Sequence, residues 1–396
     1  MASMTDRSVF GEAEPDPAIT SQCRKEVSME PSGVRYHDEL DCYVVWGLEP
    51  ARAAMADPAL TSDTFQPMNL SYLPEVVRDE CPDLVALVER WFIFRDGADH
   101  QTARKAVRPL FSPRNIRDLA PEVATIVEDV LDEAMRSTEF DFVTEVADKV
   151  AARAIALILG FESASQESLQ RWGLALSKFL GASYRPDFAM EAQVAIVELS
   201  EFVRSAESAP GGLLSLASGE REDRVATAAM MVFGGLQTTV GLLGFACKYM
   251  MESDVSPSTV GERSALIERT LSHWAPLGHV ARMADRATSI ASTAIPEGSA
   301  VLIALDGTDV LDRPGMLTWD PELPSGGPGP LEDKALHLAF GYGVHRCIGA
   351  PLARLVGDEV VRQLVEKAPG ARVVSATPKA NRTYRGFSEL VVRIPG

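Results

Sequence analysis

The chain has 396 residues, 46% hydrophobic and 24% charged, more than one core usually holds, so two domains or one large helical domain are expected. A formal net charge of −18 argues against nucleic acid and anionic membrane as general partners. Five cysteines, an odd number without framework spacing, suit a reducing cytoplasm, and Cys23, Cys42, Cys81 and Cys247 lack the CxxC or Cys/His spacing of a zinc site or iron–sulfur cluster.

Residues 1–25 are polar, contain Pro15 and Pro17, and are expected to be a mobile terminus without signal peptide or anchor. No linker divides the remainder, so residues 26–396 are expected to form a single domain. Tyr43-Val44-Val45-Trp46 reads as a strand. His100 and Arg104 stand four apart, so on a helix both face one way, and Pro109 would end or kink that helix. A helix starting at Ser112-Pro113 carries Val123, Ile126, Val127, Val130 and Leu131 on one face. Another runs from Phe142 through Leu157 to Gly160, which fits a C-cap. No residue from Val225 to Cys247 is charged, a run long enough to cross a bilayer. Thr227, Gln237, Thr238, Thr239 and the pair Gly234-Gly235, with no second span beside them, favour a long helix buried in a core. Glycine inside a helix costs about 1 kcal/mol against alanine, so the pair needs a reason. Ala300–Ile303 and Leu390–Ile394 read as strands, and residues 321–330 form the one dense breaker cluster, an irregular meander. The sum is a mainly α protein with small β-sheets.

The most specific segment is Phe340-Gly341-Tyr342-Gly343-Val344-His345-Arg346-Cys347-Ile348-Gly349. A lone thiolate can serve as the axial ligand of a haem iron, provided that loop N–H groups and a helix N-terminus keep it deprotonated. Gly341 and Gly343 permit a turn with positive φ, and Gly349 lets backbone approach a flat ligand. Pro351 suits the first turn of a following helix. The bland alternative, a buried thiol that behaves as a small hydrophobe, fits Cys23, Cys42, Cys81 and Cys247. It does not fit Cys347, because three glycines at fixed offsets arise by chance about once in 3,000 windows.

This segment resembles the haem-binding loop of the cytochrome P-450 family, and the resemblance extends from about residue 35 to 396. It implies a triangular prism of helices around a buried haem b (iron protoporphyrin IX), with Cys347 on the iron and Phe340, Gly341 and Gly349 around it. It further implies a soluble, cytoplasmic, bacterial-type monooxygenase that activates O2 to oxidise a small organic molecule in specialised metabolism. The stretch Asp99–Arg104, followed by Phe111-Ser112-Pro113-Arg114, is similar to the family's C helix, which makes His100 and Arg104 contacts to the haem propionates. Arg282, six residues after Pro276, and His345 are the other two contacts that the resemblance implies.

In the family, small residues matching Gly234 and Gly235 open a groove for O2, and an acid followed by a threonine relays protons. Thr238 matches the threonine, whereas Gln237 stands in place of the acid, and an amide cannot titrate. The family's Glu-x-x-Arg pair is replaced by Arg269-Thr270-Leu271-Ser272, and the arginine expected within Trp319-Asp320-Pro321-Glu322-Leu323 is absent. Joint loss of these charges implies a rebuilt meander, since losing one partner alone would strand a buried charge. Register places residues 62–90, including Met68, over the haem and Phe179 to Arg185 in a lid. His279, Val280, Tyr384, Arg385 and Phe387 fall on the substrate pocket, which favours a polar or aromatic substrate.

Without a flavin or iron–sulfur module of its own, the chain resembles P-450s that take electrons from a separate acidic ferredoxin and its reductase. Arg104, Lys105, Arg108, Arg114, Arg117, Arg346 and Arg354 would steer that partner to the cysteine side. Two rival readings follow from the altered motifs. One is a non-catalytic homologue that serves as a binding or activating subunit of another enzyme. The other is a peroxide-driven or non-oxidative haem-thiolate enzyme, such as an isomerase or dehydratase.

Overall fold

A computed structural model describes residues 32–38, 40–161, 164–205, 221–253, 255–305, 337–379 and 383–395. The expected mobile terminus, the breaker cluster at 321–330 and the segment 319–323 lie outside these residues. From Ser32 onward the chain forms one compact unit.

Strands β1 (Gly33–His37) and β2 (Cys42–Trp46) pair antiparallel and lead into helix α1 (Leu48–Ala56) and the short β3 (Leu60–Thr61). Helices α2 (Glu75–Asp79), α3 (Pro82–Val88), α4 (Gly97–Val107), α5 (Pro113–Asp118) and α6 (Ala120–Ala134) follow. After β4 (Glu139–Asp141) come α7 (Asp148–Leu159), α8 (Gln166–Gly181), α9 (Pro186–Ser205) and the long α10 (Arg221–Glu252). Helix α11 (Val260–His273) precedes strands β5 (His279–Ala284), β6 (Thr288–Ile290), β7 (Thr293–Ile295) and β8 (Ala300–Ala304). Helix α12 (Ala350–Lys367) and strands β9 (Arg372–Pro378) and β10 (Phe387–Arg393) complete the described chain. The sheets are small, ordered β1-β2-β8-β5-β3, β4-β10-β9 and β6-β7, so helices dominate as expected.

Helix α10 is the apolar run that imitates a membrane span, and 78% of its most apolar window is buried inside the protein. Helices α7, α8, α9, α11 and α12 surround it, which is why it carries no charged face. Its glycines admit close neighbours: a Cβ on Gly235 would lie 2.2 Å from Ile155 Cδ1 of α7, and one on Gly241 would lie 2.6 Å from the Arg385 carbonyl.

Two expected helices differ in detail. The one starting at Ser112 is split. Ser112 caps α5, its hydroxyl accepting from the Asn115 N–H at 3.3 Å, but α5 ends at Asp118 and α6 begins at Ala120. Pro121 has no N–H for the Arg117 carbonyl, so the helix cannot run through. The other passes through a π-helical turn at Val143–Ala147 before α7, and ends where expected, with Gly160 left-handed at φ 71°. Helix α4 holds both His100 and Arg104 and gives way at Val107 to a 3-10 turn containing Pro109.

Candidate active site

The Cys347 loop is built mainly from its own backbone. Gly341 and Gly343 take φ of 66° and 70°, which folds the chain back so that the Cys347 N–H reaches the Phe340 carbonyl at 2.7 Å. The thiol is exposed, whereas Cys42, Cys81 and Cys247 are buried. Desolvation raises the Cys347 pKa above its ordinary value, and the N–H groups of Gly349 and Ala350, with the charges of Arg104 and Arg346, offset that only in part. Gly349 leaves the sulfur uncovered, since a Cβ there would sit 3.8 Å from both Sγ and the Phe111 ring. Helix α12 starts directly behind the sulfur with Pro351 in its first turn.

Two buried basic side chains near the loop lack a close anion among the described residues. His100 is buried, and its Nε2 has no hydrogen-bond partner. Burial, then the neighbouring His345 and Arg104, lowers the His100 pKa to about 4. Arg282 is only 7% exposed, yet its one hydrogen bond is from NH1 to the adjacent Ala281 carbonyl, at 2.7 Å. Among the described residues no carboxylate reaches ion-pair distance of Arg282. A buried guanidinium without an anion is costly, and so is a buried imidazole nitrogen without a hydrogen-bond partner. That donor set fits a dianionic group such as a pair of propionates.

His345 and Arg104 are used differently from expectation. His345 Nε2 shares a 2.8 Å hydrogen bond with Asp96 Oδ1, and its ring lies 4.1 Å from that of His100. Burial raises the Asp96 pKa, but hydrogen bonds from His345, the Thr61 hydroxyl and the Ser62 N–H outweigh it and hold the carboxyl well below its ordinary range. Arg104 donates to the Arg346 carbonyl and so fastens α4 to the cysteine loop. The expected basic docking face is correspondingly smaller. Arg354 is not free for it: its guanidinium grips Glu268 at 2.6 and 2.9 Å and covers the Phe340 ring at 4.4 Å.

Glu268 was not visible as a functional position in the sequence. It sits one residue before Arg269 and also meets His337 Nε2 at 3.0 Å, so α11 is tied to residues on both sides of the cysteine loop. Ser272 cannot replace an arginine and instead donates to the Arg269 carbonyl at 2.8 Å.

The centre of α10 divides by face. Gly234 is exposed within a helix that is otherwise mostly enclosed, and a Cβ there would meet nothing within 4 Å. Thr238 lies one turn on, its hydroxyl donating to the Gly234 carbonyl at 2.7 Å. Gly235 does not open a groove, because it faces Ile155 and is there for close helix packing. Gln237 is buried and accepts a 2.8 Å hydrogen bond from Lys379 Nζ, a residue the sequence did not single out.

Of the expected substrate positions, Phe179 and Phe387 are core side chains. Phe179 meets Phe65 edge-on at 6.4 Å, and Phe387 meets Phe245 at 5.5 Å, so neither presents a surface to a ligand. Arg385 is also buried, with its N–H bonded to the Pro276 carbonyl. Met68 and Val280 are half-buried. His279 has a buried, unpartnered Nδ1, and burial followed by the Arg385 charge lowers its pKa to about 4. Tyr384 meets Phe233 at 5.8 Å, and Phe233 in turn stacks on Trp91 at 5.0 Å. These three are buried core side chains, as Phe179 and Phe387 are, so Tyr384 does not present a surface to a ligand either.

The helical fold, the thiol at the base of a glycine-turned loop and the open strip on the central helix define a haem-thiolate protein. No family model matches the chain. It is 25% identical over 382 residues to cytochrome P450 107B1 of Saccharopolyspora erythraea, covering 92% of this chain and 91% of that protein. It is 27% identical over 390 residues to 6-deoxyerythronolide B hydroxylase of the same organism, covering 90% and 91%. Ligand-free CYP164A2 of Mycobacterium smegmatis superposes with a TM-score of 0.74 at 25% identity, covering 91% of this chain and 93% of that one. Over 90–92% of its length the chain is thus similar to bacterial cytochrome P450 monooxygenases.

Proposed function

We propose that the protein binds haem b through Cys347 and hydroxylates a small organic molecule in bacterial specialised metabolism, with electrons from a separate ferredoxin. The observation that carries this is the exposed Cys347 thiol, the one described cysteine left open to a ligand and the one served by two loop N–H groups. Cys347 would ligate the iron, while His100 and Arg282 would hold the propionates. When bound, the haem supplies an iron whose thiolate donation favours O–O cleavage. Arg104 keeps the loop in place by gripping the Arg346 carbonyl, and His345 is kept in position by Asp96. Gly234 leaves room beside α10, and Thr238 holds its hydroxyl at that opening.

The relatives named as hydroxylases of 6-deoxyerythronolide B and of erythromycin support a substrate of that general class, a secondary metabolite. Reduction under carbon monoxide tests the reading: wild type is expected to give the red-shifted band of a thiolate-ligated haem. A protein that stays colourless after haem reconstitution would reject it. A second reading, turnover driven by peroxide, is favoured by the amide at Gln237. Comparing product formed with ferredoxin, reductase, NAD(P)H and O2 against product formed with peroxide alone separates the two.

A further inference from the structure

Hydroxylation of RH by O2 follows RH + O2 + 2 H+ + 2 e− → ROH + H2O, so two protons must be delivered for each product formed. Thr238 can pass a proton but has none to give near neutral pH, and Gln237 has no titratable group. What Gln237 does have is Lys379. The lysine comes from the end of β9, 142 residues away, and its Nζ donates to Gln237 Oε1 at 2.8 Å. A lysine is a donor only, so the amide must turn its carbonyl oxygen to Lys379 and its NH2 elsewhere. The Lys379 N–H is itself held by the Gly386 carbonyl at 2.8 Å, which fixes the residue where the chain turns toward β10.

Among the described residues no carboxylate makes an ion pair with Lys379. The one carboxylate that acts on it is Asp148, at the start of α7, without a direct hydrogen bond. Burial raises Asp148 to about 6, against the pull of Lys379 and with reinforcement from Asp141. Burial lowers Lys379, against the pull of Asp148. The surrounding charges are few. Asp141 on β4 accepts from the backbone N–H groups of Val143 and Leu390, and Glu145 accepts from the Asp141 N–H. Lys149, next to Asp148, is paired with Glu133 at 3.2 Å. Arg385, across the turn, lowers His279 and does not act on Lys379.

We propose that Lys379 supplies protons to the Thr238 side of α10, so that an ammonium brought from the β9–β10 turn replaces the acid that Gln237 is not. The inference rests on the monooxygenase reading above. A Lys379 Nζ–H bond breaks, and its proton passes to water between the Gln237 amide and the Thr238 hydroxyl. The free amine is then reprotonated from bulk water. One proton moves inward, and every residue returns to its starting state. Lys379 is thus a proton-supplying and positioning residue that does not touch the substrate.

The test uses Lys379→Arg, Lys379→Met and Asp148→Asn in the haem-loaded protein. Arginine keeps the charge and the hydrogen bond to Gln237 but has no accessible neutral form. Both Lys379 variants are expected to retain the wild-type carbon monoxide band, while product per NAD(P)H falls roughly ten- to hundredfold and hydrogen peroxide rises. In the reduced, carbon-monoxide-bound protein labelled with 13Cε-lysine there are eight lysine resonances. The one absent from Lys379→Arg should titrate well below the others, and lower still in Asp148→Asn. The proposal is overturned if Lys379→Arg couples electrons to product as wild type does, or if Lys379 titrates with the exposed lysines. A wild-type protein without the thiolate band would instead overturn the reading on which the relay rests.

Discussion

The cysteine loop and the centre of α10 are both glycine-built openings, but they are held in different ways. In the loop, the turn at Gly341 and Gly343, the Cys347 N–H bond to Phe340 and the N–H groups of Gly349 and Ala350 all come from neighbours in the chain. At the centre of α10, Gly235 answers to Ile155 on α7, and Gln237 answers to Lys379 beyond β9. Chemistry carried by backbone geometry is local, whereas chemistry carried by imported side chains depends on tertiary packing.

The sharpest way to break the comparison is Cys347→Ala. If the loop alone supplies the ligand, the variant should fold, since the thiol is exposed and packs little, yet lose the red-shifted carbon monoxide band and all O2-dependent turnover. Retention of that band would mean that another group ligates the iron, and the loop would no longer be self-sufficient.

One tie does make the loop less local, and Glu268→Gln measures it. Glu268 bonds His337 before the loop and Arg354 after it, so removing its charge should cost about 1–3 kcal/mol. Burial raises its pKa, but the bonds from His337 and Arg354 outweigh that and bring it down from 4.5 to about 2. A folded pKa below the unfolded one means that the stabilisation is complete above the unfolded value and is lost as pH falls toward the folded one. Urea unfolding of wild type and variant should therefore differ most near neutral pH and converge as pH drops below about 4.5. A constant difference down to pH ~3 would show that packing, rather than the charge, is what Glu268 contributes.

This division explains what the sequence disclosed. The strands at Cys42–Trp46 and Ala300–Ala304, the Gly160 cap and the cysteine loop were legible because period, punctuation and turn chemistry are written in consecutive residues. The break at Leu119 was missed because the apolar stripe from Val123 to Leu131 outweighed Pro121 in the reading, although Pro121 removes a specific hydrogen bond. Glu268, Arg354 and Lys379 were missed as site partners for another reason: a charged residue on a helix or after a strand is ordinarily a solvated one. Only the fold shows that these three are aimed inward at particular atoms. Phe179 and Phe387 erred in the opposite direction, since register along the chain does not say which side of an element is enclosed.

The smallest effects test the α10 side of the comparison, because Gly234 and Gly235 are adjacent yet face different surroundings. A methyl on Gly235 would fall 2.2 Å from Ile155 Cδ1 and 2.9 Å from its Cγ1. Overpacking of this kind costs about 1–3 kcal/mol, against which alanine returns about 1 kcal/mol of helix propensity. Gly235→Ala should thus be destabilising by up to ~2 kcal/mol, and Ile155→Val in the same chain should recover part of the loss. Gly234→Ala meets no atom within 4 Å, so it should raise stability by up to ~1 kcal/mol. If the open strip is where small ligands enter, that added methyl should also slow carbon monoxide rebinding after photolysis, whereas Gly235→Ala should leave rebinding unchanged. Opposite signs in melting temperature with a kinetic effect confined to Gly234 would place the opening on one face of the helix. Equal effects at both positions would show instead that the pair acts through helix flexibility.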